Sequence, residues 1–174
     1  LKFNIRKYTF IYLSIPLLLA GGMGSLLYHA SRTSSFLLYL DVLPTALLTV
    51  SVGIYFWWKL FRNWWYVVCI MVPAVGIRLY LLLFFTSEMT VNLSYFIAGI
   101  AIFLPVLLYL QRHNYHHLRT FFISLSCLLL SLVLRETDHW FSDYLPMGSH
   151  FLWHLFSGVG AYYLAYYLYQ LRNE

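Results

Sequence analysis

The sequence predicts an all-α integral membrane protein, a single domain over residues 1–174 built as a bundle of transmembrane helices. Of its 174 residues, 61% are hydrophobic, 21% are aromatic and only 10% are charged. Ordinary soluble domains contain about 45–50% apolar and about 25% charged residues, so this chain lies well outside their range. The apolar residues also form runs of about 20 residues, the length that a helix needs to cross the hydrocarbon of a bilayer.

Six of these apolar runs are predicted to cross the membrane. In chain order they cover about residues 9–29, 36–57, 64–85, 92–110, 119–135 and 149–170. The polar breaks that end the first five are HASRTSS, KLFRN, TSEMTVN, QRHNYHHLR and RETDHWFSDYLPMGS. The first run lacks the brief apolar core and the small-residue cleavage site of a signal peptide, so it counts as a helix of the bundle.

The basic residues predict how the bundle is oriented. Eight of them fall in the two tails and in the second and fourth breaks: Lys2, Arg6, Lys7, Lys59, Arg62, Arg112, Arg119 and Arg172. The opposite side holds only Arg32 and Arg135. By the positive-inside rule, both termini are expected in the cytoplasm. The cations are scattered between apolar runs rather than gathered on one face, so no nucleic-acid partner is predicted. The oligomeric state and the particular membrane stay open.

In this topology, five polar residues are expected to meet near the outer surface of the bundle: Ser25, His29, Asp41, His150 and His154. Polar groups are costly in a bilayer, so their gathering indicates a functional site. His150 and His154 are four residues apart, which places both imidazoles on one helix face, as two ligands of one metal ion require. With His29 as a third imidazole and an open fourth position, the set favours a catalytic zinc ion. Asp41 could then orient or deprotonate the bound water.

Each of these residues also has a simpler interpretation. A single histidine in a membrane helix is more often a hydrogen-bonded packing residue than a metal ligand. Asp41 could pair with Arg32 or with a histidine instead of serving a metal site. Ser25 could bond back to a helical carbonyl, or the stretch GGMGS around it could let two helices approach closely.

Three stretches of the chain resemble, in order, the signature stretches of the alkaline ceramidases: GGMGSLLYHAS, LLYLDVLP and SHFLWHLFSGVGAYYL. These enzymes belong to the CREST superfamily of membrane hydrolases, which also includes the progestin and adiponectin receptors and the GPI-remodelling lipases. The resemblance extends from about residue 20 to residue 169. It implies three zinc ligands, His29, His150 and His154. It further implies that Asp41 hydrogen-bonds the catalytic water and that Ser25 stabilises this water or the developing oxyanion.

The resemblance implies a zinc-dependent hydrolase of linear amide bonds that acts within the membrane on ceramide or a related N-acyl lipid. The products would be a fatty acid and a sphingoid-type amine. The family has seven helices, so six are expected here and seven in the full-length protein. The helix expected to be absent from this sequence is the first, which in the eukaryotic ceramidases is associated with a calcium site, so the resemblance is not extended to calcium. The alternatives are a receptor-like member of the superfamily, an ester-lipid hydrolase of the phospholipase or GPI-remodelling type, and a metal or proton transporter.

The remaining polar residues have structural interpretations. Arg135, Glu136, Asp138 and His139 follow the fifth run and are expected to form a lid or to orient the sixth helix. Arg78 lies within the third run and needs a partner, for which Glu136 or Asp138 is predicted. The histidines of the fourth break are interpreted as a solvated surface that faces lipid headgroups: His113, His116 and His117.

Overall fold

The computed structural model describes residues 9–31, 34–85, 87–141 and 148–172, and every regular element within these ranges is a helix. The elements are α1 (Thr9–Ser31), α2 (Ser35–Phe61), α3 (Trp64–Phe84), α4 (Glu88–Arg112), α5 (Leu118–Glu136), α6 (Asp138–Phe141) and α7 (His150–Arg172). The all-α prediction is confirmed for the described residues. Each predicted run falls in one long helix, except that Phe85 and Ser149 at the ends of two runs lie just outside α3 and α7, and the short α6 lies inside the fifth predicted break.

Five helices among the described residues are long and apolar enough to cross a membrane, namely α1 to α5. This composition indicates a multi-pass membrane protein. Many large apolar side chains are exposed along these helices, for example Leu26 and Leu83, as expected for surfaces solvated by lipid rather than by water. The 23-residue α7 is not one of the five, because its histidines and its several tyrosines lower its hydropathy. A sixth crossing by α7 therefore stays a prediction.

The turn between α2 and α3 begins later than the sequence predicted. The polar break KLFRN was expected to start at Lys59, but α2 continues through Lys59 to Phe61. Arg62 then ends the helix in a left-handed conformation, with its N–H bonded to the carbonyl oxygen of Trp58 at 2.8 Å. Asn63 caps the next helix, because its side-chain oxygen accepts the Trp65 N–H at 3.0 Å.

The chain divides into two compact units, Leu1–Tyr109 and Leu110–Glu174. In the first unit, α2 packs against α1 and α3. The Trp57 indole N–H donates to the carbonyl oxygen of Ala101 on α4 at 3.0 Å. One helical turn earlier, Gly53 lies against the Met71 side chain and the Ala101 carbonyl. These contacts tie α3 and α4 to the buried face of α2, so α2 forms the core of this unit. The single-domain expectation for the whole chain stays a prediction.

In the second unit, α5 and α7 pack closely over much of their length. The Ser124 hydroxyl is fully buried and donates to the carbonyl oxygen of Gly160 at 2.8 Å. A Cβ atom at Gly160 would lie 2.6 Å from Cγ of Leu128, so only glycine fits this crossing without movement. Close approach at a small residue, supported by an interhelical hydrogen bond, is typical of packing between membrane helices.

Arg78 on α3 has a different partner from the one predicted. Its Nε donates to the hydroxyl of Ser94 on α4 at 3.1 Å, and Ser94 is only 3% exposed. A carboxylate was predicted because a positive charge in an apolar run is costly unless a partner group stabilises it. Here a hydroxyl within the same unit accepts one of its hydrogen bonds.

Candidate functional site

In the first unit, the predicted site residues lie where α1 and α2 approach each other most closely. A Cβ atom at Gly24 would lie 2.5 Å from the Leu40 carbonyl oxygen and 2.6 Å from the Asp41 amide nitrogen. The two backbones therefore touch at this point. Ser25 follows Gly24 directly, so it lies at the level of Asp41.

The glycines of GGMGS therefore serve helix approach, which was one of the simpler interpretations of this stretch. Gly21, one turn before Gly24, also faces α2, where an added Cβ would lie 3.0 Å from Cγ2 of Thr45. By contrast, no atom lies within 4 Å of a Cβ placed at Gly22. Gly21 and Gly24, one turn apart, thus form the surface of α1 that contacts α2.

The other simpler interpretation, a bond from Ser25 back to a carbonyl of its own helix, is not seen in the described part of the chain. Ser14 and Ser31 on the same helix donate to the carbonyl oxygens four residues earlier, each at 2.9 Å. Within the described residues Ser25 makes no such bond, and it is half-buried. Its hydroxyl is therefore available for another acceptor.

His29 and Asp41 complete the set in the first unit, and both are half-buried. His29 lies one turn after Ser25 on α1, and its ring meets that of Tyr28 edge to face at 5.5 Å. Asp41 lies in the second turn of α2, and its carbonyl oxygen accepts the Thr45 hydroxyl at 3.2 Å. The alternative pairing of Asp41 with Arg32 falls on a residue outside the described ranges.

In the second unit, His150 and His154 lie one turn apart at the beginning of α7. Their ring centroids are 5.0 Å apart with an angle of 71° between the rings. The Trp153 ring contacts both, at 4.9 Å from His150 and 4.4 Å from His154. Both histidines are half-buried, and the Nε2 atom of each is shielded from solvent. The two imidazoles thus lie on one helix face, as the spacing predicts.

Asp138 organises the beginning of α7. Its Oδ1 accepts the backbone N–H of Ser149, and the Ser149 hydroxyl lies 3.2 Å from the same oxygen. That hydroxyl also donates to the Leu134 carbonyl oxygen at 2.9 Å. The polar residues after the fifth run were predicted to form a lid or to orient the last helix. Asp138 has the orienting role, because it bonds the residue that precedes α7.

The other carboxylate oxygen of Asp138 faces a predicted metal ligand. Oδ2 of Asp138 lies 3.9 Å from Nδ1 of His150. Sequence reasoning missed this contact, because the break between the two residues has no periodicity from which a side-chain contact could be inferred. The only sequence signal was an acidic residue near the beginning of the polar break that precedes the histidine pair.

An open groove of about 510 Å³ runs along α7 from His154. Its lining is almost entirely apolar and is formed by Leu155, Gly158, Val159, Tyr162 and Tyr163 beyond the histidine. Because Gly158 has no side chain, the helix surface is recessed in the middle of the groove. Such an apolar lining is compatible with contact to lipid hydrocarbon.

The histidines between α4 and α5 form a different environment. His113 and His116 are exposed, and the rings of His116 and His117 meet at 6.3 Å. Among the described residues they are not part of any group with the geometry of a metal site. The interpretation as a polar surface therefore agrees with their exposure.

No protein-family model matches this chain, and no curated protein or solved structure is significantly similar to it. The resemblance to the alkaline ceramidases therefore stays an expectation from three short stretches of sequence.

Proposed function

We propose that this protein is a zinc-dependent, membrane-embedded amide hydrolase that acts on ceramide or a related N-acyl lipid. The observation that carries the proposal is the pair of half-buried imidazoles at the beginning of α7, His150 and His154, whose ring centroids are 5.0 Å apart. Two imidazoles one turn apart on a helix are a common way for a protein to present two ligands to one zinc ion.

The third ligand in this proposal is His29. Each of the three histidines has an imidazole nitrogen that can serve as a metal ligand. Three neutral imidazoles with an open fourth position are the ligand set of a catalytic zinc rather than a structural one. The choice of zinc among divalent metals rests on this donor set and on the sequence resemblance.

The proposed chemistry assigns roles to Asp41 and Ser25. Zinc, when bound, lowers the pKa of a water molecule toward about 7 and polarises a carbonyl group. Asp41 accepts a proton from the attacking water and passes it to the nitrogen of the leaving amine. The Ser25 hydroxyl, which makes no back-bond to α1, donates a hydrogen bond to the oxyanion that develops on the carbonyl oxygen. Water thus adds across the C–N bond and yields a fatty acid and an amine.

A lipid substrate is supported by the surroundings of the histidine pair. Five helices have the length and composition of membrane spans, so the substrate would reach the site from the bilayer. The groove that begins at His154 offers an apolar surface on which an acyl chain can lie. In the proposed orientation both termini are cytoplasmic and the site lies near the outer side.

The proposal is tested by purifying the protein in detergent, measuring its zinc content and assaying fatty-acid release from N-acyl and ester lipids. About one zinc per chain and release from N-acyl lipids are expected. His150→Ala should lose most of the zinc and at least about 100-fold in turnover, because a ligand is removed. The exposed His116 provides the matched control, since His116→Ala should retain both.

Full zinc occupancy in His150→Ala would contradict the ligand assignment. Release from ester lipids alone would instead identify an ester-lipid hydrolase with the same metal site. Zinc binding without turnover on either lipid class would favour the receptor-like alternative.

A further inference from the structure

The carboxylate of Asp138 faces two groups at once at the beginning of α7. Oδ1 accepts the Ser149 N–H, and Oδ2 lies 3.9 Å from Nδ1 of His150. The two carboxylate oxygens thus contact two consecutive residues, Ser149 just before α7 and His150 at its first position. Because Nε2 of His150 is shielded from solvent, the two ring nitrogens of this histidine have different environments.

This difference matters for any metal that His150 binds. A neutral imidazole carries one proton, and only the other nitrogen has a lone pair for a metal. Metal-binding histidines usually donate their second N–H to a carboxylate or carbonyl, which fixes the tautomer and the ring orientation. A carboxylate beside Nδ1 favours a proton on Nδ1 and leaves the lone pair on Nε2.

We propose that Asp138 is a positioning residue that holds His150 with its Nδ1–H toward the carboxylate and its Nε2 toward the metal. The inference rests on the proposed function and deepens it. It assigns a role to a residue outside the predicted ligand and acid–base set. Asp138 touches neither the substrate nor the metal, and it acts through His150.

The local backbone restricts where the Asp138 carboxylate can lie. Gly148 has a φ of +62°, and a Cβ atom there would lie 2.5 Å from Oδ1 of Asp138. The hydroxyl of Ser149 contacts the same oxygen while it donates to the Leu134 carbonyl on α5. The carboxylate is therefore held between α5, α6 and the start of α7, with Oδ2 directed at His150.

The 3.9 Å separation is an electrostatic contact, since hydrogen bonds from nitrogen to oxygen have lengths of about 2.7–3.2 Å. A movement of about 1 Å by the imidazole closes the gap. Hydrogen bonds of a site often tighten only when its ligand binds. The contact is therefore expected to shorten in the zinc-bound protein.

Two substitutions separate the positioning role from the structural role of Asp138. In Asp138→Asn, the side-chain oxygen can still accept the Ser149 N–H, but an NH₂ group replaces the acceptor beside His150. In Ser149→Ala, the hydroxyl contacts to Asp138 and Leu134 are lost, while the carboxylate beside His150 remains. The first variant tests positioning, and the second tests the helix start alone.

The first readout is the tautomer of His150, measured by nitrogen-15 NMR of histidine-labelled protein at an alkaline pH where the ring is neutral. The signal is assigned by its loss in His150→Ala. The protein as purified, before and after chelation of its metal, is expected to have the proton on Nδ1. Asp138→Asn should shift the metal-free protein toward the Nε2–H form, and Ser149→Ala should not.

The second readout is zinc affinity, measured by competition with a chelator. Loss of an outer carboxylate should weaken zinc binding about 10–100-fold in Asp138→Asn. Ser149→Ala should lower the melting temperature with little change in zinc affinity.

Either of two results would overturn the inference. One is a wild-type protein in which Nε2 of His150 carries the proton. The other is an Asp138→Asn variant whose zinc affinity equals that of the wild type. A wild-type protein that binds no zinc would refute the proposed function, and the tautomer measurement would still decide whether Asp138 orients His150.

Discussion

The two histidines of α7 differ in their neighbours at the scale of single residues. His150 faces the Asp138 carboxylate through Nδ1, whereas His154 lines the apolar groove; the Trp153 ring contacts both. The proposed roles are therefore not equivalent, although the sequence presents the two as a symmetric pair. His150 is held by polar groups, and His154 stands where the acyl chain of a substrate would begin.

A substitution of Asp41 separates metal binding from proton transfer. Asp41→Asn should reduce turnover by about 10²–10⁴-fold, the range typical of a lost general acid or base. Zinc content should stay close to that of the wild type, because the amide is nearly isosteric and Asp41 is not a proposed ligand. Turnover and zinc are measured on the same purified sample. Wild-type turnover in this variant would remove Asp41 from the mechanism.

The sequence could predict only those parts of the site in which residues are related by the periodicity of one helix. His150 and His154 could be paired from sequence because helical periodicity alone places residues four apart on one face. The contact of Asp138 with Ser149 and His150 could not, since it crosses a break in which no periodicity relates the two sides. Contacts made by single polar side chains across such a break depend on packing that only the folded chain reveals.

At the scale of the elements, hydropathy predicted the long helices well and their ends poorly. Lys59 was read as the start of a break, yet α2 continues past it. The physical reason is that its ammonium group lies 4.6 Å from the centre of the Tyr109 ring and 5.9 Å from that of Tyr55. A long basic side chain whose charge meets aromatic rings can remain in a helix that carries apolar residues around it.

The contact between α1 and α2 provides a prediction at this scale. Gly24→Ala places a methyl group 2.5 Å from the Leu40 carbonyl oxygen, so the two helix backbones must move apart. Overpacking of this kind should lower the free energy of unfolding by about 1–3 kcal/mol. Turnover should fall as well, because Ser25 and Asp41 lie at this contact.

Gly22→Ala is the matched control for this prediction, since a Cβ atom there meets nothing within 4 Å. It should leave the melting temperature unchanged or raise it slightly through better helix propensity. Thermal unfolding in detergent, followed by circular dichroism, distinguishes the two variants. Equal melting temperatures would contradict the close approach of α1 and α2.

At the scale of the whole molecule, the chain consists of two compact units, and the proposed ligands come from both. His29 belongs to the first unit, while His150 and His154 belong to the second. Composition predicted the membrane class because apolar residues dominate the whole chain. It could not predict how the chain divides, since that depends on which helices share close contacts such as the one at Gly160.

The most direct test of the central claim is X-ray absorption at the zinc edge, which counts the ligands of the metal in the purified protein. We expect three imidazole nitrogens at about 2.0–2.1 Å and one oxygen ligand. In His29→Ala the imidazole count should fall to two, with weaker zinc binding. A sulfur ligand, or a count of three that persists in His29→Ala, would contradict the account.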